Sequence, residues 1–139
     1  MKANGKRVVS RLEEIYQCGK KEDGTFTRMA FSTEDVKGRK LFASWAEKLG
    51  MTCRTDEAGN LICRMSGQDD SLPAILMGSH LDTVPDGGKY DGVLGCVGAL
   101  EVCETFREEG YVPKHPIEVI VFTDEEGFRF GKGLTGSSA

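Results

Sequence analysis

The sequence predicts an α/β protein with a three-layer α/β/α core and a mostly parallel sheet. Two short apolar runs, residues 74–77 and 117–123, read as buried strands. A helical pattern over residues 93–109 lies between them. A strand–helix–strand crossover of this kind makes its two strands parallel. Both runs lead into His or carboxylate residues, His80 and Asp82 after the first and Asp124-Glu125-Glu126 after the second. Parallel strands put both ends on one edge, and the carboxyl edge is where open α/β sheets hold ligands.

The elements follow in order. Asn4 caps a helix over residues 5–18, with Val8, Val9, Leu12, Ile15 and Tyr16 on one face. Residues 20–31 are polar around Gly24 and read as a connecting loop. Ser32, followed by Glu34 and Asp35, opens a second helix over residues 34–49. Its apolar face carries Leu41, Phe42, Trp45, Ala46 and Leu49, and Gly50 ends it. Residues 51–66 hold two β-prone runs around Glu57-Ala58-Gly59 and read as a hairpin. Residues 73–123 are the βαβ unit. In its helix Gly95, Gly98 and Ala99 are small, so the helix can lie close to the sheet.

Composition narrows the function. With 139 residues, 39% of them hydrophobic and 29% charged, the chain can bury one core. A net charge of −4 gives no footprint for nucleic acid. No apolar run approaches the ~20 residues of a membrane span, and no h-region follows the basic start. The five cysteines form no Cys-x-x-Cys pair and lie in apolar patterns. They read as reduced core residues of a cytoplasmic protein.

The chemistry sits between Met77 and Gly92 and at Asp124 to Gly127. His80 and Asp82 are two apart and share a side of an extended backbone. A Gly- and Pro-rich loop then returns Asp91 to the same edge. Neutral imidazole with carboxylates is a donor set for Zn²⁺ or Mn²⁺. A loop carboxylate such as Asp91 can bridge two ions. The Asp82 carboxylate can accept from the second ring nitrogen of His80. Glu125 and Glu126 point apart, so one can bind metal while the other acts as base. A nucleotide site is the weaker reading. Gly127 to Gly133 has three residues between its first two glycines where a P-loop has four, and no Ser or Thr follows Lys132.

The stretch Gly78 to Gly92, with Asp124 to Phe130, Gly136-Ser137 and the Asp56-x-x-Gly59-Asn60 turn, resembles the co-catalytic metallohydrolases of the aminoacylase/carboxypeptidase type, peptidase family M20. It is closest to their amidohydrolase branch: N-carbamoyl-L-amino-acid hydrolases, β-ureidopropionases and allantoate amidohydrolases. The resemblance implies two divalent ions, zinc first, with manganese, cobalt or nickel as alternatives. It implies His80, Asp91 as a bridge, and Glu126 as ligands, Glu125 as general base, and Asp82 as support for His80. It also implies a small-molecule carbamoyl or ureido substrate and a homodimeric parent enzyme. Two further His ligands and a lid domain lie downstream in that family, so the 139 residues are expected to be its N-terminal third and inactive alone. The only other histidine, His115, precedes the second strand and should sit at the opposite edge. A non-catalytic metal-binding module is the competing reading for these residues.

Overall fold

The structure is a computed structural model and describes residues 1–139. Helix α1 spans Gly5–Tyr16, with the Asn4 side chain accepting from the Arg7 amide at its start. Helix α2 spans Thr33–Lys48 and is capped by Ser32, which accepts from the Asp35 amide. Strands β1 (Thr52–Thr55) and β2 (Leu61–Met65) form the expected hairpin. Then come β3 (Ile75–His80), α3 (Val93–Glu108) and β4 (Ile117–Phe122).

The sheet order is β1-β2-β4-β3. β3 and β4 are parallel, as the crossover requires. The other two pairs, β1 with β2 and β2 with β4, are antiparallel. Within these residues the sheet is therefore mixed where a mostly parallel one was expected. The hairpin supplies two of the four strands, and its return strand β2 lies directly against β4.

All three helices share one face of the sheet. Leu12 and Ile15 of α1, Phe42, Trp45 and Ala46 of α2, and Val97, Leu100 and Cys103 of α3 form one cluster with Cys63, Met65, Val119 and Val121. The side chains between those strand positions, Arg64, Glu118, Ile120 and Leu76, point to the other face. No helix of the chain packs there, and Leu76 is 60% exposed. These residues thus supply two of the three expected layers. Helix α3 lies close on β3 because Gly95 is bare: a Cβ there would come within 2.8 Å of the Ser79 Cβ.

Two details differ from the sequence reading. Residues 20–31 are more than a connector, because Phe26, Arg28 and Ala30 are all buried. The reduced reading of the cysteines is corrected for one pair: Cys53 and Cys63, directly opposite across the hairpin, form a disulfide. Both lie in apolar patterns because both face α2 and the core. Cys18, Cys96 and Cys103 are free. No helix is long and apolar enough to cross a membrane.

Candidate metal centre

β3 ends at His80 and β4 at Phe122, and these two residues are register partners. The chain therefore leaves both strands side by side, carrying Leu81–Asp82–Thr83 and Thr123 to Glu126 to one edge. Asp91 reaches that edge on a loop anchored to the N-terminal segment. The Gly87 amide donates to the Phe26 carbonyl at 3.1 Å, and the Asp86 amide to Thr27 Oγ1 at 3.0 Å. Lys89 pairs with Glu13 of α1 and lies 5.1 Å from the Tyr16 ring centre.

His80, Asp91 and Glu126 each bring a ligand-capable atom to within 4.8 Å of the others. His80 is buried, Glu126 half-buried and Asp91 exposed, so the group opens to solvent on one side. His115 lies at the other end of the sheet, where its Nδ1 meets the Pro73 carbonyl at 2.8 Å.

The support for His80 differs from the expected one. Its Nδ1 is 2.9 Å from the backbone carbonyl of Asp82 but 3.8 Å from the Asp82 carboxylate. A carbonyl only accepts, so Nδ1 carries a proton, and when the ring is neutral its lone pair is on Nε2. That is the tautomer a metal ligand needs, oriented by a second partner. The Asp82 carboxylate serves elsewhere: its Oδ2 accepts the Glu126 amide at 3.2 Å. Its Oδ1 is buried with no hydrogen-bond partner. Asp82 thus ties the His80 ring to the Glu126 backbone.

Gly92 completes the pocket for the ring. It has φ +65°, and a Cβ on it would stand 2.5 Å from His80 Cε1 and Nε2. Glu125 Oε2 lies 3.5 Å from His80 Nε2, on the solvent side. Burial pushes the Glu126 carboxyl above the usual range; the nearby Asp91, Glu125 and Asp82 push the same way, and His80 opposes. Crowded acids around a neutral imidazole with a free Nε2 fit a divalent cation, which would relieve their repulsion.

Several residues position this edge in ways the sequence reading did not assign to them. Asn60, 5% exposed, accepts the Thr123 amide through Oδ1 at 3.0 Å. Its Nδ2 donates to Asp56 Oδ2 and to the Gly136 carbonyl, both at 3.0 Å. The Asp56-x-x-Gly59-Asn60 turn is therefore a clamp on the end of β4. Arg39, paired with Asp35, donates to the Phe122 carbonyl at 3.0 Å. Thr135 holds Asp124 Oδ2 at 2.9 Å while Asp124 adopts φ +51°. The aligned signal was the Asp-x-x-Gly-Asn spacing, which reads as an Asx-type turn.

His80, Asp91 and Glu126 thus form a candidate metal site at the carboxyl edge of an α/β sheet. Residues 60–139 match the model of Peptidase family M28, and the chain belongs to that family. The match carries the number M28 where the resemblance named M20, while the N-carbamoyl-L-amino acid amidohydrolases and an allantoate deiminase among the relatives fit the branch that the resemblance named. N-carbamoyl-L-amino acid amidohydrolase of Geobacillus stearothermophilus is 44% identical over 97% of this chain and 33% of its own length. Ureidoglycolate hydrolase of Arabidopsis thaliana is 35% identical over 92% of this chain and 27% of its own. The structure of a hydantoinase/carbamoylase family amidase from Burkholderia ambifaria superposes with TM-score 0.95 at 40% identity, over 98% of this chain and 34% of that one. The chain thus spans about a third of the length of the curated relatives it matches.

Proposed function

We propose that this chain is part of a metal-dependent amidohydrolase that cleaves a linear C–N bond of a carbamoyl or ureido substrate, an N-carbamoyl-L-amino acid first among them. The observation that carries this is the convergence of ligand-capable atoms of His80, Asp91 and Glu126 within 4.8 Å, with Glu125 beside His80 Nε2. The names of the relatives supply the substrate class, with allantoate and β-ureido acids as the neighbouring choices.

His80, Asp91 and Glu126 would hold the metal, Asp91 bridging two ions, zinc first and manganese, cobalt or nickel otherwise. When bound, such ions supply charge that acidifies a water and polarises a carbonyl. The chain's own residues do the rest. The Asp82 carbonyl keeps the proton on Nδ1 of His80, so Nε2 stays a donor to metal. Glu125, with its side chain 35% exposed, is free to take a proton from the attacking water. As the C–N bond breaks, the same carboxyl returns that proton to the departing nitrogen. The carbamoyl carbon, now bonded to the oxygen of the water, is released as carbamic acid, which breaks down to ammonia and carbon dioxide. The parent enzyme is read as a homodimer.

The test uses the full-length protein stripped of metal and reloaded with Zn²⁺, Mn²⁺, Co²⁺ or Ni²⁺. Release of free amino acid from N-carbamoyl-L-amino acids is measured beside turnover of allantoate and a β-ureido acid. Metal-restored hydrolysis of one of them is expected. Metal binding with no hydrolysis of any would favour the non-catalytic module instead.

A further inference from the structure

Arg28 is fully buried, and no carboxylate forms an ion pair with it. An arginine so placed is costly unless its charge and donors are used. Its Nε donates to the Leu81 carbonyl at 2.6 Å. Its Nη1 donates to the carbonyls of Ile15 and Cys18, both at 2.8 Å, at the end of α1. The backbone is joined as well: the Arg28 amide donates to Thr83 Oγ1 at 2.9 Å, and the Thr83 amide to the Arg28 carbonyl at 2.8 Å.

Closing the end of α1 would explain a donor here, since helix C-termini favour cations. It does not explain why the same side chain and its amide seize the residues on both sides of Asp82. Arg28 Nη2 and Asp82 Oδ1 are both buried without a hydrogen-bond partner. Asp82 is 1% exposed, and the contacts of Arg28 bracket it on both sides, at Leu81 and at Thr83.

We propose that Arg28 is the positioning residue of the candidate metal centre. By gripping Leu81 and Thr83, the residues on either side of Asp82, it fixes both functions of that residue. One is the carbonyl that keeps His80 in its Nε2-free tautomer. The other is the carboxylate that receives the Glu126 amide. The proposal rests on the metal-centre reading above, but its first effect is on His80 and needs no metal.

The test compares wild type with Arg28→Lys, which keeps the charge but cannot span the same carbonyls. The chain has two histidines, so ring-nitrogen chemical shifts of ¹⁵N-labelled protein report His80 without crowding. At pH 8 and without metal, the wild type should show His80 protonated at Nδ1. Folded Arg28→Lys should show mixed tautomers and bind Co²⁺ about 10–100-fold more weakly, the usual effect of losing an outer support. A folded Arg28→Lys with the wild-type tautomer would overturn the proposal. Should that variant not fold, Thr83→Val decides, because it removes only the hydroxyl that accepts the Arg28 amide. The same shift toward mixed tautomers supports the proposal, and an unchanged spectrum overturns it. Wild type that fails to bind Co²⁺ counts against the metal reading alone, since the tautomer still reports on Arg28.

Discussion

The Asn60 side chain holds the Thr123 backbone amide at 3.0 Å across 63 positions of sequence, just ahead of the Glu125–Glu126 pair. The other end of the same amide ties Asp56 and Gly136, so one buried side chain joins the hairpin turn, the end of β4 and the segment after the acidic turn. Asn60→Ala leaves the Thr123 amide and the Gly136 carbonyl without their partner. A buried group left unsatisfied costs about 1–3 kcal/mol. The expected result is a lower Tm together with weaker Co²⁺ binding measured well below that Tm. Normal Co²⁺ affinity would show the clamp to be structural only.

Glu125 and Glu126 should separate by function. In the full-length protein, Glu125→Gln keeps the metal content and loses about 10²–10⁴-fold in kcat, the usual effect of losing a general base. Glu126→Gln should lose metal first. Elemental analysis beside kinetics distinguishes them, and near-normal kcat in Glu125→Gln would remove its assignment.

The raised pKa of Glu126 has a fixed sign. Burial and the neighbouring acids disfavour its ionised form in the folded chain. Ionising it therefore costs the metal-free protein stability as pH rises from the ordinary carboxylate range through the raised value. Without metal, Glu126→Gln should raise Tm at neutral pH, and the gain should vanish below about pH 4. Metal must displace the proton, so affinity falls as pH drops through the same window. A Tm gain that persists unchanged into acid would contradict the assigned cause.

Gly92→Ala tests the cradle of His80. The new methyl would enter the imidazole ring, and the residue would keep φ +65°. With ψ −49° this is the rare γ-turn region, whose backbone strain alone costs about 1–3 kcal/mol for a residue with a Cβ. Both Tm and metal affinity should fall. Gly98→Ala, where a Cβ meets nothing within 4 Å, is the matched control and should be neutral or stabilising.

The thiol count is a direct check on the disulfide. Unfolded without reductant, the chain should show three reactive thiols, from Cys18, Cys96 and Cys103. After reduction it should show five. Five before reduction would remove the Cys53–Cys63 link.

Much of this was legible because the sequence states it locally. Asn4 and Ser32 are caps, the helical faces repeat at the right period, and the βαβ unit dictates a parallel β3–β4 pair. The meeting of His80 and Glu126 was legible because they lie at and just past the ends of two parallel strands, and Asp91 returns to them on the Gly- and Pro-rich loop before α3. Other parts depended on tertiary choices. Burial of Phe26, Arg28 and Ala30 follows an alternation of period two, but an arginine in the middle position reads as solvent-facing. The Cys53–Cys63 pair depends on hairpin register, which composition does not report. The direction of β2 against β4 depends on which strand the hairpin joins, a choice no local pattern encodes.

The contact that orients His80 comes from the main chain of residue 82. Every amino acid has that carbonyl. Replacing Asp82 can therefore cut the link to Glu126 without deleting the acceptor that faces the imidazole. Among descendants of this gene, drift at position 82 would erode the tie between the two strands before it reached the ring. Comparing side chains alone would overlook this part of the support, because it is written in a group that mutation cannot remove.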